Sequence, residues 1–136
     1  EVAQRLNDSS PLLPSGGKEI VFVDDTRGNL QVMVMFFKGR GFNVRGFSSR
    51  REALEHLKAN IANVGAVLTD LNTGDDISLE EFLEFTRLHP TVAVSICSGD
   101  EVRSLPVGVS SAYQKPLHLG ELSQTLAPIV GKRSED

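Results

Sequence analysis

The sequence predicts an α/β domain in which a parallel sheet is covered by helices on both faces. Three observations carry that expectation. Short apolar runs of strand length recur: Ile20-Val21-Phe22-Val23, Val67-Leu68-Thr69 and Val92-Ala93-Val94-Ser95-Ile96-Cys97. Their near-continuous apolarity suits strands buried on both faces. Segments with helical spacing separate these runs through short connections, so strand and helix alternate five times. Polar groups then stand where the strands leave the core: Asp24-Asp25, Asp70, Ser98 and Lys115. An Asp at such a point is presented at a rim rather than packed, and in open α/β sheets the carboxyl ends of the strands form the rim where ligands bind.

The elements follow in order. Residues 1–18 carry Ser-Ser-Pro and Pro-Ser-Gly-Gly and read as a linker or disordered lead-in; the domain is expected over 19–130, with a polar tail at 131–136. After the first strand, Leu30, Met33, Val34 and Phe37 fall at helical spacing, with Gly39 and Gly41 as the stop. That helix has a second apolar row, Val32, Met35 and Phe36, suited either to partial cover by neighbours or to a partner helix. Phe42, Val44 and Phe47 alternate with polar residues, as an edge strand does. Ser49-Arg50-Arg51-Glu52 has capping-box spacing ahead of the stripe Ala53, Leu54, Leu57 and Ile61. The Asp70 strand and a polar loop precede a helix with stripe Leu79, Phe82, Leu83 and Leu88, stopped by Pro90. A short helix is expected around Asp100–Leu105, bounded by Pro106 and Gly108, and then a weak last strand over 109–113. Leu119, Leu122, Leu126 and Ile129 give the closing helix.

Composition narrows the function. The chain has 136 residues, 40% of them hydrophobic, which suffices for one core without a metal or disulfide staple. The net charge of -4, with scattered basic residues and no aromatic-basic stripe, argues against direct nucleic-acid binding. Cys97, the single cysteine, reads as a buried small hydrophobe and fits a reducing compartment. No run is long enough to span a bilayer and no signal peptide is visible, so the expectation is a cytoplasmic segment without membrane contact. The start at Glu1 without a methionine is what a segment of a longer polypeptide would show. His56, His89 and His118 have no mutual spacing for catalysis or metal binding and read as surface residues.

Taken together, Val23-Asp24-Asp25, Asp70, Ser98 and Lys115-Pro116, with Gly41-Phe42-Asn43-Val44 and Ser49-Arg50-Arg51-Glu52-Ala53-Leu54 between them, resemble the receiver domain of two-component response regulators. The resemblance covers about Lys18 to Ile129. It implies a three-layer, doubly wound flavodoxin-like (CheY-like) fold with a five-stranded parallel sheet of order 2-1-3-4-5 and a shortened fourth helix. It implies that Asp70 accepts a phosphoryl group from a kinase phosphohistidine and that Lys115 stabilises its charge. Ser98 would hydrogen-bond it as a switch. Asp24, Asp25, Asp70 and the backbone carbonyl of Asn72 would hold Mg²⁺ or Mn²⁺. The implied partner is a histidine kinase or a histidine phosphotransfer domain, and self-dephosphorylation would end the signal. The Pro-Ser-Gly-Gly-Lys-Glu lead-in resembles the joint after a kinase ATP-binding domain, as in a hybrid histidine kinase.

The sequence departs from the family in places. Thr26 stands where Glu is common, Thr73-Gly74 replaces the usual Met-Pro, and Ala112 occupies the switch aromatic's position, with Tyr113 one place late. These departures motivate an alternative, a non-phosphorylated interaction module. Asp70 to Glu81 also resembles an EF-hand calcium loop, although Asp75 stands where that loop needs glycine and no second loop is present to pair with it.

Overall fold

A computed structural model describes residues 16–71, 73 and 77–132. Five strands, β1 (Glu19–Val23), β2 (Val44–Phe47), β3 (Val64–Asp70), β4 (Ala93–Ser98) and β5 (Ser111–Gln114), form one parallel sheet of order β2-β1-β3-β4-β5. Among the described residues four α-helices pack on it: α1 (Arg27–Gly39), α2 (Arg50–Asn60), α3 (Leu79–Thr86) and α4 (Leu119–Val130). The expected three-layer α/β fold and strand order are therefore observed.

Strand alternation divides the core. Val21, Val23, Val67, Val94 and Ile96 point to one face, where Ala53, Leu54 and Leu57 of α2 and Phe82 and Leu83 of α3 cover them. Ile20, Phe22, Ala66, Leu68 and Cys97 point to the other, beneath Met33 and Phe37 of α1 and Leu122, Leu126 and Val130 of α4. Covered on both sides, the central strands can be apolar throughout. Phe37 centres the second layer, with ring contacts to Phe22, Phe36 and Phe42 at centroid separations of 5.0–5.4 Å. Edge strand β2 lies close under α1, where a Cβ at Gly46 would come within 2.8 Å of Val34 and 2.9 Å of Leu30. Ser49 caps α2 as its spacing predicts, accepting from the Glu52 N–H at 3.1 Å, and Ser78 caps α3 in the same way.

Several expectations need correction. The helix anticipated at Asp100–Leu105 does not form, and β4 runs to β5 through an irregular connection. Its only buried residue is Val109, so a helix there would have no apolar stripe to bury and too few residues to offset nucleation. The connection is instead held to the end of α3 by Arg87, whose Nε donates to the Val107 carbonyl at 2.9 Å while its guanidinium pairs with Glu80. Gly108 turns there with φ +93°, and a Cβ would meet the Arg87 side chain at 2.9 Å. Leu88, 72% exposed, lies past the end of α3 and off its stripe. Ile129 is likewise exposed, and Val130 fills the last core position of α4. Of the three histidines read as surface, His56 and His89 are half-buried, His56 tilted against Phe47 and hydrogen-bonded to Glu19, and His89 tilted against Phe85.

Truncating Phe37 to alanine empties the centre of the α1–α4 layer and should cost about 3–5 kcal/mol in urea unfolding. Leu88→Ala, at an exposed position, should stay within about 0.5 kcal/mol of the parent.

Candidate functional site

Parallel register fixes which residues meet at the rim. Val23 pairs with Thr69, so Asp24 emerges beside Asp70. Asp70 pairs with Cys97, and Ser98 with Gln114, which leaves Lys115 as the first residue past β5. The Lys115 N–H donates to the Ser98 carbonyl at 2.8 Å, and its peptide bond to Pro116 is cis. From there Lys115 reaches back across the sheet. Its Nζ lies 3.1 Å from Asp70 Oδ2 and 3.4 Å from Asp24 Oδ2. The carboxylates of Asp24, Asp25 and Asp70 each place an oxygen within 4.8 Å of the others.

The three acids are not equivalent. Asp24 is 2% exposed, and its Oδ1 accepts from the Thr26 N–H at 2.8 Å, which fixes the turn into α1. Asp25 is exposed and Asp70 lies between, so the cluster runs from interior to solvent. Burial would lower the pKa of Lys115, but the hydrogen bond to Asp70 and the charges of Asp24 and Asp70 outweigh it, and the pKa ends above the ordinary lysine range. Cys97, paired with Asp70, is pushed up to about 12, first by burial and then by the Asp70 and Asp24 charges against the opposing pull of Lys115. It is a core residue rather than a reactive thiol.

Ser98 joins this arrangement through its main chain. Its hydroxyl is buried and accepts from the Asp100 N–H at 3.0 Å, within the β4–β5 connection. Asn72 lies outside the described residues, as do residues 74–76 of the calcium-loop reading. An EF-hand loop is entered from a helix, whereas Asp70 ends strand β3.

Sequence reasoning missed Arg50. Read only as a member of the capping-box spacing Ser49–Glu52, it is 4% exposed and bonds the main chain at the end of β3. Its Nη2 donates to the carbonyls of Asp70 (3.0 Å) and Leu71, its Nη1 to Ile77 (3.0 Å), and its Nε to Thr69 Oγ1 (3.4 Å). An arginine in the first turn of a helix opposes the helix dipole, but Arg27 and Arg51 stand in first turns as well and are exposed, so the sequence does not single out Arg50.

Beside the rim, a cleft of about 420 Å³ opens between α1 and the start of α4, with Asp24 and Lys115 at its polar end and Val32, Pro116, Leu117 and Leu119 along its apolar wall. The second row of α1 is only partly free. Val32 and Met35 are 59% and 67% exposed, but Phe36 is half-buried against Phe37, with Arg40 over its ring at 4.8 Å.

No family model matches the sequence. The chain is 26% identical over 113 residues to the transcriptional regulatory protein ZraR of Escherichia coli K12, a match that takes in 79% of this chain and 25% of ZraR. The chain thus spans about a quarter of the length of the curated relatives it matches. Among solved structures it is similar to a response regulator receiver domain from Clostridium thermocellum, with TM-score 0.72, 22% identity, and 85% and 95% of the two chains covered. It is also similar to the response regulator TrrA from Thermotoga maritima in complex with Mg²⁺ and BeF, with TM-score 0.70, 16% identity, and 82% and 98% covered. The fold is that of the CheY-like receiver domains. Among the described residues no helix is long and apolar enough to cross a membrane.

Removing the ammonium by Lys115→Met leaves the acids to repel one another and should destabilise the protein by about 1–3 kcal/mol at neutral pH without divalent cations. Because the folded-state pKa of Lys115 is raised, its contribution is fully present below the unfolded lysine pKa and is lost as pH rises through the folded value. Urea midpoints of parent and variant should therefore differ by a constant amount from pH 7 to about 9 and converge only above about pH 10.4, the ordinary lysine range.

Proposed function

We propose that this chain is a phosphoacceptor domain of two-component signalling, in which Asp70 takes a phosphoryl group from a phosphohistidine of a histidine kinase or histidine phosphotransfer domain. The observation that carries the reading is the Lys115 ammonium 3.1 Å from the Asp70 carboxylate, with Asp24 and Asp25 alongside. Hard carboxylate oxygens in a cluster are the donor set that Mg²⁺ or Mn²⁺ prefers, and Asp24, Asp25 and Asp70 would hold the ion, with the Asn72 carbonyl as a further ligand. Bound there, a divalent cation supplies positive charge that offsets the repulsion between the carboxylates and an incoming phosphoryl group.

The chain's own residues account for the remainder. An Asp70 carboxylate oxygen attacks phosphorus, the P–N bond to the donor imidazole breaks with its electron pair leaving on nitrogen, and an acyl phosphate remains on Asp70. Lys115 is a mobile point donor suited to a phosphoryl oxygen. The Ser98 hydroxyl accepts from the Asp100 N–H, which leaves its O–H to donate to a phosphoryl oxygen. The cleft beside α1 receives the donor, with Val32 at its wall and Met35 one turn further along the exposed row.

Incubation with Mg²⁺ and acetyl phosphate should raise the intact mass by one phosphoryl group, and Asp70→Asn should abolish the gain. An unchanged mass in the parent protein would support the interaction-module alternative instead.

Val32→Ser combined with Met35→Ser should slow transfer from a phosphorylated histidine phosphotransfer domain at least about tenfold, as loss of central apolar contacts does. Uptake from acetyl phosphate should be unaffected. Equal slowing with both donors would assign those side chains to folding rather than docking.

A further inference from the structure

We infer that Arg50 is a positioning residue for cation binding: from α2 it clamps both sides of the β3–α3 connection and so fixes the main chain that follows Asp70. The inference rests on the phosphoacceptor reading above. The connection runs Leu71-Asn72-Thr73-Gly74-Asp75-Asp76-Ile77-Ser78, with a glycine, several turn-forming polar residues and no proline to restrict it. Such a segment, left to itself, samples many conformations. A cation ligand drawn from its main chain would then have to be ordered each time the ion binds.

Arg50 removes that freedom at two points. Its Nη2 holds the carbonyls of Asp70 and Leu71 on the entry side, and its Nη1 holds the carbonyl of Ile77 on the exit side. Only a planar fork with donors on several edges can span both sides at once. The side chain is 4% exposed, and Thr69, whose hydroxyl meets Nε, is buried as well. Thr73 and Ile77 are buried too. The carbonyls of Asp70 and Leu71 point to Arg50, which leaves the carboxylate of Asp70 to Lys115 and the cation. Arg50 acts through the main chain it holds, as outer groups around metal sites do.

The test compares the parent with Arg50→Met and Arg50→Lys. Mg²⁺ affinity is measured by calorimetry, the Mg²⁺ dependence of phosphorylation by acetyl phosphate is followed, and amide exchange is recorded in the cation-free protein. Arg50→Met should raise the Mg²⁺ concentration for half-saturation by about tenfold or more, the usual effect of losing an outer-shell partner. The rate at saturating Mg²⁺ should change by only about twofold, since the reacting groups remain. Amides of residues 71–78 should exchange faster while those of β1 and β4 do not. Arg50→Lys, which keeps the charge but cannot span both sides, should fall between. An unchanged half-saturation in a folded Arg50→Met protein overturns the inference. If that variant does not fold, Arg50→Lys decides, and parent-like Mg²⁺ dependence overturns it equally. A parent protein that binds no Mg²⁺ would sink the phosphoacceptor reading and this inference with it, a result distinguishable from failure at Arg50 alone.

Discussion

Three carboxylates cannot share one rim of a sheet unless something offsets their charge, and here that something is a single ammonium from the far side of β5. Lys115 bridges Asp24 and Asp70 at 3.4 and 3.1 Å, joining the end of β1 to the end of β3 over the strand ends. The geometry is available only because all the strands are parallel. Each chain segment leaves the sheet at the same edge, and one-residue steps past the register pairs deliver Asp24, Asp70, Ser98 and Lys115 in sequence. Reversing one strand would carry its polar end to the opposite edge.

Burial sets how those charges behave. Asp24 is taken out of water and has to be paired, so it accepts from the Thr26 N–H and from Lys115. Asp25, one residue on, is exposed. The interior acid fixes the turn into α1, which in turn places Val32 on the cleft wall beside the acids. The same cleft is thus lined by the apolar Val32 and by the charged Asp24 and Lys115.

Much of the architecture was legible because it follows from pattern. Runs such as Ile20–Val23 have no polar residue to place in water, and the stripe of α2 repeats at helical spacing, so neither element had a competing solution. Polar residues at the strand ends marked the rim for the same reason. Other features were set by tertiary context. Pro106 and Gly108 bounded a segment that looked long enough for a helical turn, but it had nothing to bury, and its anchor, Arg87, lies about twenty residues upstream. Leu88 and Ile129 continued their stripes by arithmetic, while the helices ended or turned away beneath them. Arg50 was hidden by a good local explanation. Its neighbours Ser49 and Glu52 do form the cap, and nothing in the capping spacing reveals that the residue between them turns inward.

The single aromatic of β5, Tyr113, takes its layer from the position that it occupies. Neighbouring residues of a strand face opposite sides of the sheet, so moving a ring by one place moves it to the other layer. Ala112 packs with the α2–α3 layer, while the Tyr113 ring joins the α1–α4 layer. No aromatic on β5 therefore stands on the same side as the irregular β4–β5 connection that Ser98 bonds to. Among the described residues, Arg50 of α2 reaches the end of β3 through the carbonyls of Asp70 and Leu71, and it also holds the carbonyl of Ile77 ahead of α3. The Asp70 carboxylate is met by Lys115, just past β5, at 3.1 Å, while the carbonyl of the same residue is met by Arg50 of α2 at 3.0 Å.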